Sequence, residues 1–287
     1  MGGESSKPAP PPSPPPSPLL RNPWREITWG GTRQALKSMQ EFQPQNEEAT
    51  IRVLLYGPVG AGKSSLINSV NNVLQSRMTN DALASGTISS HSFTKIYKTY
   101  KIKKEGRGNF YPFVFNDIMG LEEGSGVRTD DIKMALKGHV KDGYKFNPSS
   151  SISAGDSGYN SSPSVSDRVH VLVCIFNVNT QIKPSVLQKM REIREAASDL
   201  DIPQLAILTH IDAACGETQS DLRNVYRSKY LKKKIGDFSS SLGIPMNCIL
   251  PMKNYSDETE LDSDVDALIL NALKLIVNFG DDYADKL

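Results

Sequence analysis

The nine residues GPVGAGKSS, 57–65, constrain what this chain can fold into more than any other segment. They fit G-x-x-x-x-G-K-[ST] without a mismatch. They follow TIRVLLY, a short apolar run of strand character, and lead into SLINSVNNVLQ, which reads as a helix. Strand, glycine loop and helix in that order make a phosphate cradle. Gly57, Gly60 and Gly62 let the backbone curl so that successive N–H groups point inward at phosphate oxygens, with Ala61 and Ser65 in the same cradle. The helix N-terminus beyond adds partial positive charge. Lys63 supplies a full charge to the outer phosphates, and Ser64 offers a hydroxyl to magnesium.

From Thr50 onward, strand-like and helix-like segments alternate. Strands are expected at 51–56, 92–102, 111–117, 169–178, 204–210 and 247–252. Helices are expected at about 63–75, 130–139, 184–199, 218–235 and 264–279. The second and third strands are joined only by KKEGRGNF, whose glycines make a hairpin. The expected fold is therefore an α/β, P-loop GTPase-like three-layer domain. Its six-stranded sheet is mostly parallel, with one antiparallel edge strand. In the last helix, Val265, Leu268, Ile269, Ala272, Leu273, Ile276 and Phe279 share a core-facing stripe. Residues 147–168, rich in serine, glycine and proline, read as a long mobile loop.

Two further elements choose the nucleotide. The third strand ends in Asp117-Ile-Met-Gly120. An aspartate there holds magnesium, often through water, and the glycine three residues on can give its N–H to a γ-phosphate. Ser64 and Asp117 are thus the candidate magnesium ligands. The fifth strand ends in Thr209-His210-Ile211-Asp212, close to the [NT]-K-x-D pattern that reads guanine. A carboxylate at Asp212 accepts from the ring N–H and the exocyclic amino group of guanine together. Adenine offers no such pair, so the site favours GTP and GDP over ATP. His210 stands where lysine is usual. Lys253-Asn254-Tyr255 lies where a loop closing over the base is expected, on position alone.

These features, together with FNDIMGL, DDI followed by LKGHVKDGYKFNP, SPSVSDRVH, ILTHID and NYSDETELD, give the chain its resemblance to the interferon-induced protein 44-like family, over roughly residues 45–287. The resemblance implies a cytoplasmic GTP-binding protein of the interferon-induced antiviral response. Some members carry T-H-x-D as well. Mammalian members have an additional N-terminal domain, in whose place this sequence has a proline-rich head.

Fast turnover is not expected. Leu121 stands where Ras-like enzymes place the glutamine that orients water, and Val59 where they usually have glycine. Either Thr87 or Thr94 serves magnesium from the switch segment. Three readings stay open: a GTP-binding switch with slow or partner-dependent hydrolysis, a nucleotide-stabilised interaction scaffold without turnover, and, less favoured, an ATP-using enzyme. Larger GTPases that lack the glutamine activate through self-association, so a homo-oligomer is one expected partner.

The head supplies the others. Residues 1–23, dominated by PAPPPSPPPSP, are expected to be extended and solvated, a spacer or a ligand for an SH3- or WW-type domain. Gly2, with Ser6 behind it, fits the N-myristoylation pattern. A single acyl chain gives weak, reversible membrane contact. Residues 24–44, with both tryptophans and a helix capped by Thr32, are expected as a short helical linker, and 45–287 as the nucleotide-binding domain. The formal net charge of +1 supplies no global field, so no nucleic-acid partner is expected. Cys174, Cys215 and Cys248 match no metal or redox spacing, and the first residues lack the apolar core of a secretory signal. Cytosol is the expected compartment.

Overall fold

A computed structural model of the chain describes residues 17–79, 96–104, 108–123 and 126–287. Its sheet is built from β1 (Ile51–Tyr56), β2 (Lys98–Lys103), β3 (Phe110–Asp117), β4 (Val171–Asn177), β5 (Gln204–Thr209) and β6 (Ile249–Pro251). The strand order is β2-β3-β1-β4-β5-β6. Every neighbouring pair is parallel except β2 with β3. The expected antiparallel edge strand is β2, and Lys104 N–H closes the hairpin on the Asn109 carbonyl at 2.9 Å.

Helices cover both faces: α1 (Thr32–Gln40), α2 (Lys63–Leu74), α3 (Thr129–Leu136), α4 (Pro184–Ser198), α5 (Gly216–Ser220), α6 (Lys229–Leu242) and α7 (Ser263–Ala284). Alternation along the strands sorts the core into two layers. Val53, Leu55, Val171 and Val173 pack with α1, α2 and α7 through Met39, Ile67 and Ile269. Leu54, Tyr56, Leu172 and Cys174 pack with α3, α4 and α6 through Ile132, Met190 and Ile235. Burial on both faces is why β1 and β4 read as unbroken apolar runs. Among the described residues, no helix is long and apolar enough to cross a membrane.

Several expectations need correction. The helix read at 218–235 is three pieces. The Asp221 side chain accepts from Arg223 N–H and starts a tight turn at 222–226. Ser228 then caps α6, accepting from Leu231 N–H. Short polar side chains that compete for backbone donors break helices at such points. Thr32 is the first helical residue and not the cap; Gly31 holds that place. The last helix runs on to Ala284. There the buried Asp281 carboxylate accepts Gln45 N–H at 2.9 Å. The second strand starts at Lys98, and residues 80–95 lie outside the described ones. The segment 147–168 is irregular, as its composition implies, yet it is fastened. Ile152 is buried and gives its N–H to Asp131 Oδ1 at 2.8 Å. Tyr159 stacks on His139 with centroids 5.1 Å apart.

Residues 17–29 run along the surface beside α6. Leu20 N–H donates to the Arg227 carbonyl at 2.7 Å, and Trp24 N–H to the Tyr226 carbonyl at 2.9 Å. The Trp24 ring meets Tyr226 edge-on at 5.0 Å. The Arg25 guanidinium lies over both rings and donates to the Ile249 and Met246 carbonyls at 2.9 and 2.6 Å. The tryptophan-bearing strip thus packs on the main body.

Candidate nucleotide-binding site

Strand order reverses direction at β1, and open α/β sheets place ligands beyond the carboxyl ends of strands at such a point. The glycine loop emerges there. Gly57 leaves β1 with φ 144°, and a Cβ on it would lie 2.0 Å from the Ile175 carbonyl oxygen of β4. Only glycine fits. Gly62, φ 95°, ends the loop, and α2 begins at Lys63. The N–H groups of Lys63, Ser64 and Ser65 therefore belong to the first helical turn, which has no intrahelical acceptors. A twelve-residue helix whose N-terminus follows such a loop is a natural anion site.

Lys63 is buried, and its Nζ donates to the Gly57 and Pro58 carbonyls at 3.2 and 3.1 Å. Burial lowers its pKa, and the nearby Asp117 carboxylate opposes that fall. Asp117, at the end of β3, is buried as well. Burial raises its pKa, while Lys63 and a hydrogen bond from Ser64 hold it down. Ser64 Oγ donates to Asp117 Oδ2 at 2.6 Å, and Asp117 Oδ1 is buried without a hydrogen-bond partner. A hydroxyl, a carboxylate and one uncommitted carboxylate oxygen form a hard-oxygen donor set. It suits magnesium, which takes one or two protein ligands and fills the rest with water and phosphate. These residues fit the ion. Among the described residues no group of three or more His, Cys, Asp or Glu could hold a metal by itself.

Gly120 sits against the loop: a Cβ on it would fall 2.4 Å from Val59 Cγ2 and 2.8 Å from the Val59 nitrogen. Leu121 N–H donates to the Gly57 carbonyl at 3.0 Å, so the D-x-x-G segment extends alongside the glycine loop as a bridge. Leu121 itself is buried. A cavity of about 370 Å³ opens beside Val59, Leu121, Glu122 and Thr180.

The third element reaches the loop through Thr209. Its buried Oγ1 donates to the Ala61 carbonyl at 2.7 Å. His210 follows with φ 59° and is exposed. Asp212 is half-buried and lines a separate cavity of about 290 Å³ with Thr218, Lys253, Asp262 and Asp264. The loop after β6 is tied in by Asn254, whose Nδ2 donates to the Gly62 carbonyl at 3.2 Å; its Oδ1 is buried without a partner. Sequence reasoning reached Asn254 by position alone, because nothing local announces a contact with a residue so far back in the chain. Lys253 pairs with Glu258 at 2.8 Å. Burial pushes the Glu258 carboxyl up, but the Lys253 ammonium and backbone N–H groups outweigh it and hold the pKa at about 2.

The structure thus gathers Gly57, Gly60, Ala61, Gly62, Lys63, Ser64, Ser65, Asp117, Gly120 and Thr209 around one loop at the carboxyl edge of the sheet, with His210 and Asp212 on the turn that follows. Gly2, Thr87 and Thr94 lie outside the described residues. The cysteines are free. Cys174 is buried in the core, and burial pushes its thiol up to about 12.

Sheet order and glycine loop together define a P-loop GTPase-like three-layer domain. Among solved structures, Toc33 from Arabidopsis thaliana in complex with GDP and magnesium is similar at 13% identity and a TM-score of 0.49, covering 88% of this chain and 93% of that one. A probable GTP-binding protein, engB, is similar at 11% identity and a TM-score of 0.42, covering 79% of this chain and 98% of that one. No protein-family model matches the chain. Interferon-induced protein 44 of Homo sapiens is 34% identical over 259 residues, 89% of this chain and 58% of its own length. The Mus musculus protein of the same name is 33% identical over 255 residues, 88% of this chain and 60% of its length. Interferon-induced protein 44-like of Homo sapiens is 33% identical over 257 residues, 88% of this chain and 56% of its length. Over that stretch the chain belongs to the interferon-induced protein 44 and 44-like family, and it spans 56 to 60% of the length of these relatives.

Proposed function

We propose that residues 45–287 form a GTP- and GDP-binding switch domain with magnesium as cofactor, acting in the interferon-induced antiviral response from the cytoplasm. The contact between Ser64 and Asp117, 2.6 Å long and beside the buried Lys63, carries the nucleotide part of this reading. The names of the relatives support the interferon part. In this reading the loop N–H groups and Lys63 hold the phosphates. Ser64 and Asp117 hold the magnesium ion, which neutralises phosphate charge when bound. Thr209, His210 and Asp212 face the base.

Hydrolysis is slow or partner-dependent, with a second copy of the chain or another protein supplying what is missing. The proline-rich head is a ligand for an SH3- or WW-type domain. A scaffold that binds nucleotide without turnover is the second reading, favoured by Leu121. Its side chain is buried and its N–H is committed to the glycine loop, so that position offers no group to orient water.

Thermal melting with GTP, GDP and ATP in magnesium, for wild type and Lys63→Ala, tests the proposal. A guanine nucleotide at about 100 times its dissociation constant should add roughly 2.7 kcal/mol to wild type and nothing to the variant. Stabilisation by ATP alone would overturn it. Phosphate release separates the switch from the scaffold.

A further inference from the structure

The outer strand carries an asymmetry that the nucleotide site does not use. KIYKTYKIKK, residues 95–104, holds five lysines and no acid in a chain whose net charge is +1. Side chains on a strand point alternately to its two faces, so lysines on β2 fringe both sides of the sheet edge. Lys98, Lys101 and Lys103 are exposed, and the bridge between Ile96 and Lys145 brings a further exposed lysine alongside. None of these, nor Lys104, forms an ion pair among the described residues. Among the described residues, Asp142 is the acid bonded to the open side of this strand, its carboxylate accepting Thr99 N–H at 2.6 Å, while Asp117 of β3 stands opposite Lys98. Two exposed apolar side chains stand at the ends of this row, Ile96 at 41% beside Lys145 and Phe110 at 46% opposite Lys103.

Lysines on an edge strand commonly serve to stop strands from pairing. That purpose accounts for the charges. It does not account for Ile96 and Phe110, which worsen the hazard the lysines would guard against. Strand addition by a peptide is blocked at the start of the edge, where Tyr97 N–H donates to the Tyr144 carbonyl at 2.8 Å and Thr99 N–H is taken by Asp142. Base stacking needs open ring faces. Here Lys98 lies over Tyr100 at 4.7 Å, Lys101 over Phe110 at 6.0 Å and Lys104 over Tyr111 at 5.2 Å. What suits a row of ammonium groups without ion-pair partners, ended by two exposed apolar side chains, is a plane of anionic headgroups with hydrocarbon beneath it.

We propose that the β2 edge is a membrane-docking surface for anionic phospholipid, with Lys98, Lys101, Lys103 and Lys145 against the headgroups and Ile96 and Phe110 as apolar contacts at its two ends. Stable attachment of a singly acylated protein needs a second signal. If Gly2 is acylated, the folded domain supplies that signal. The surface acts with or without nucleotide, so its failure and that of the nucleotide reading are distinguishable.

The test is sedimentation of the full chain, with and without N-terminal myristate, with vesicles of phosphatidylcholine alone or mixed with phosphatidylserine. The unacylated chain should bind the anionic vesicles only, and more weakly as salt rises. Each lysine near the surface is worth about fivefold in binding, so Lys101→Gln, Lys103→Gln and Lys145→Gln together should lower affinity on the order of 100-fold. The acylated triple variant should fall back to the weak binding of a single chain. An unchanged melting curve controls for folding. Equal binding to neutral vesicles, undiminished binding by the triple variant, or capture by an oligonucleotide where anionic vesicles fail each overturns the proposal.

Discussion

Replacing Gly57 and Gly60 by alanine separates two reasons for glycine in the same loop. At Gly60, φ is 73° and no atom lies within 4 Å of the added Cβ. Alanine there costs backbone strain alone, about 1–2 kcal/mol for a left-handed L-residue. At Gly57, φ is 144° and the Cβ meets the Ile175 oxygen at 2.0 Å. Ile175 is paired in register with Ile207 of β5, so its carbonyl cannot yield without disturbing the central strands. Backbone strain of about 1–3 kcal/mol and overpacking of about 1–3 kcal/mol then add, to roughly 4 kcal/mol. Urea unfolding of wild type and both variants, analysed with a common slope, measures the difference. Gly57→Ala should be about 2–3 kcal/mol less stable than Gly60→Ala. A Gly57→Ala protein as stable as its Gly60→Ala counterpart would refute the assigned geometry of the loop entrance.

Asp212→Asn replaces the double acceptor proposed for guanine, so the preference for GTP over ATP should narrow, up to about 10⁴-fold where a buried polar group had enforced it. Competition between the two nucleotides measures it, and unchanged selectivity removes Asp212 from the base site. His170 gives a stability prediction. Burial, aided by the Arg52 guanidinium, lowers its pKa to about 4, against about 6.5 unfolded. Above pH 6.5 it is neutral in both states. Between 6.5 and 4 the unfolded chain takes a proton the folded one refuses, so stability falls by up to about 3 kcal/mol as pH drops, with no further loss from this group below 4. His170→Gln, which keeps an acceptor for Arg52 N–H, should flatten that part of the unfolding profile; an identical slope in both proteins contradicts the buried neutral imidazole.

What could be read in advance, and what could not, divides on the range of the interaction. β1, β3, β4 and β5 were legible because a strand buried on both faces writes a continuous apolar run. The glycine loop was legible because its chemistry is local. The breaks at Asp221 and Ser228 were signalled by their side chains, but the apolar spacing through Val225, Leu231 and Ile235 drowned the signal; all three are buried in one core layer all the same. The fastening of 147–168 hangs on Ile152 and Tyr159 set among polar residues, which composition averages away. The bonds from Thr209 to Ala61 and from Asn254 to Gly62 join segments far apart in the chain, and no window along the sequence contains both ends.

The strip at residues 17–29 decides how force enters the molecule. Leu19 bridges to Ser228, and Lys229 N–H donates to the Pro18 carbonyl at 3.1 Å. A pull on the head therefore loads Ser228 before any strand of the sheet. From there a relay of side chains — Ser228 Oγ to Cys215 Sγ at 3.4 Å, Cys215 Sγ to Thr218 Oγ1 at 3.1 Å, Thr218 Oγ1 to the Ile211 carbonyl at 2.5 Å — ends one residue short of Asp212. Tension on the strip and any movement of the turn that carries Asp212 act on opposite ends of the same short chain of atoms.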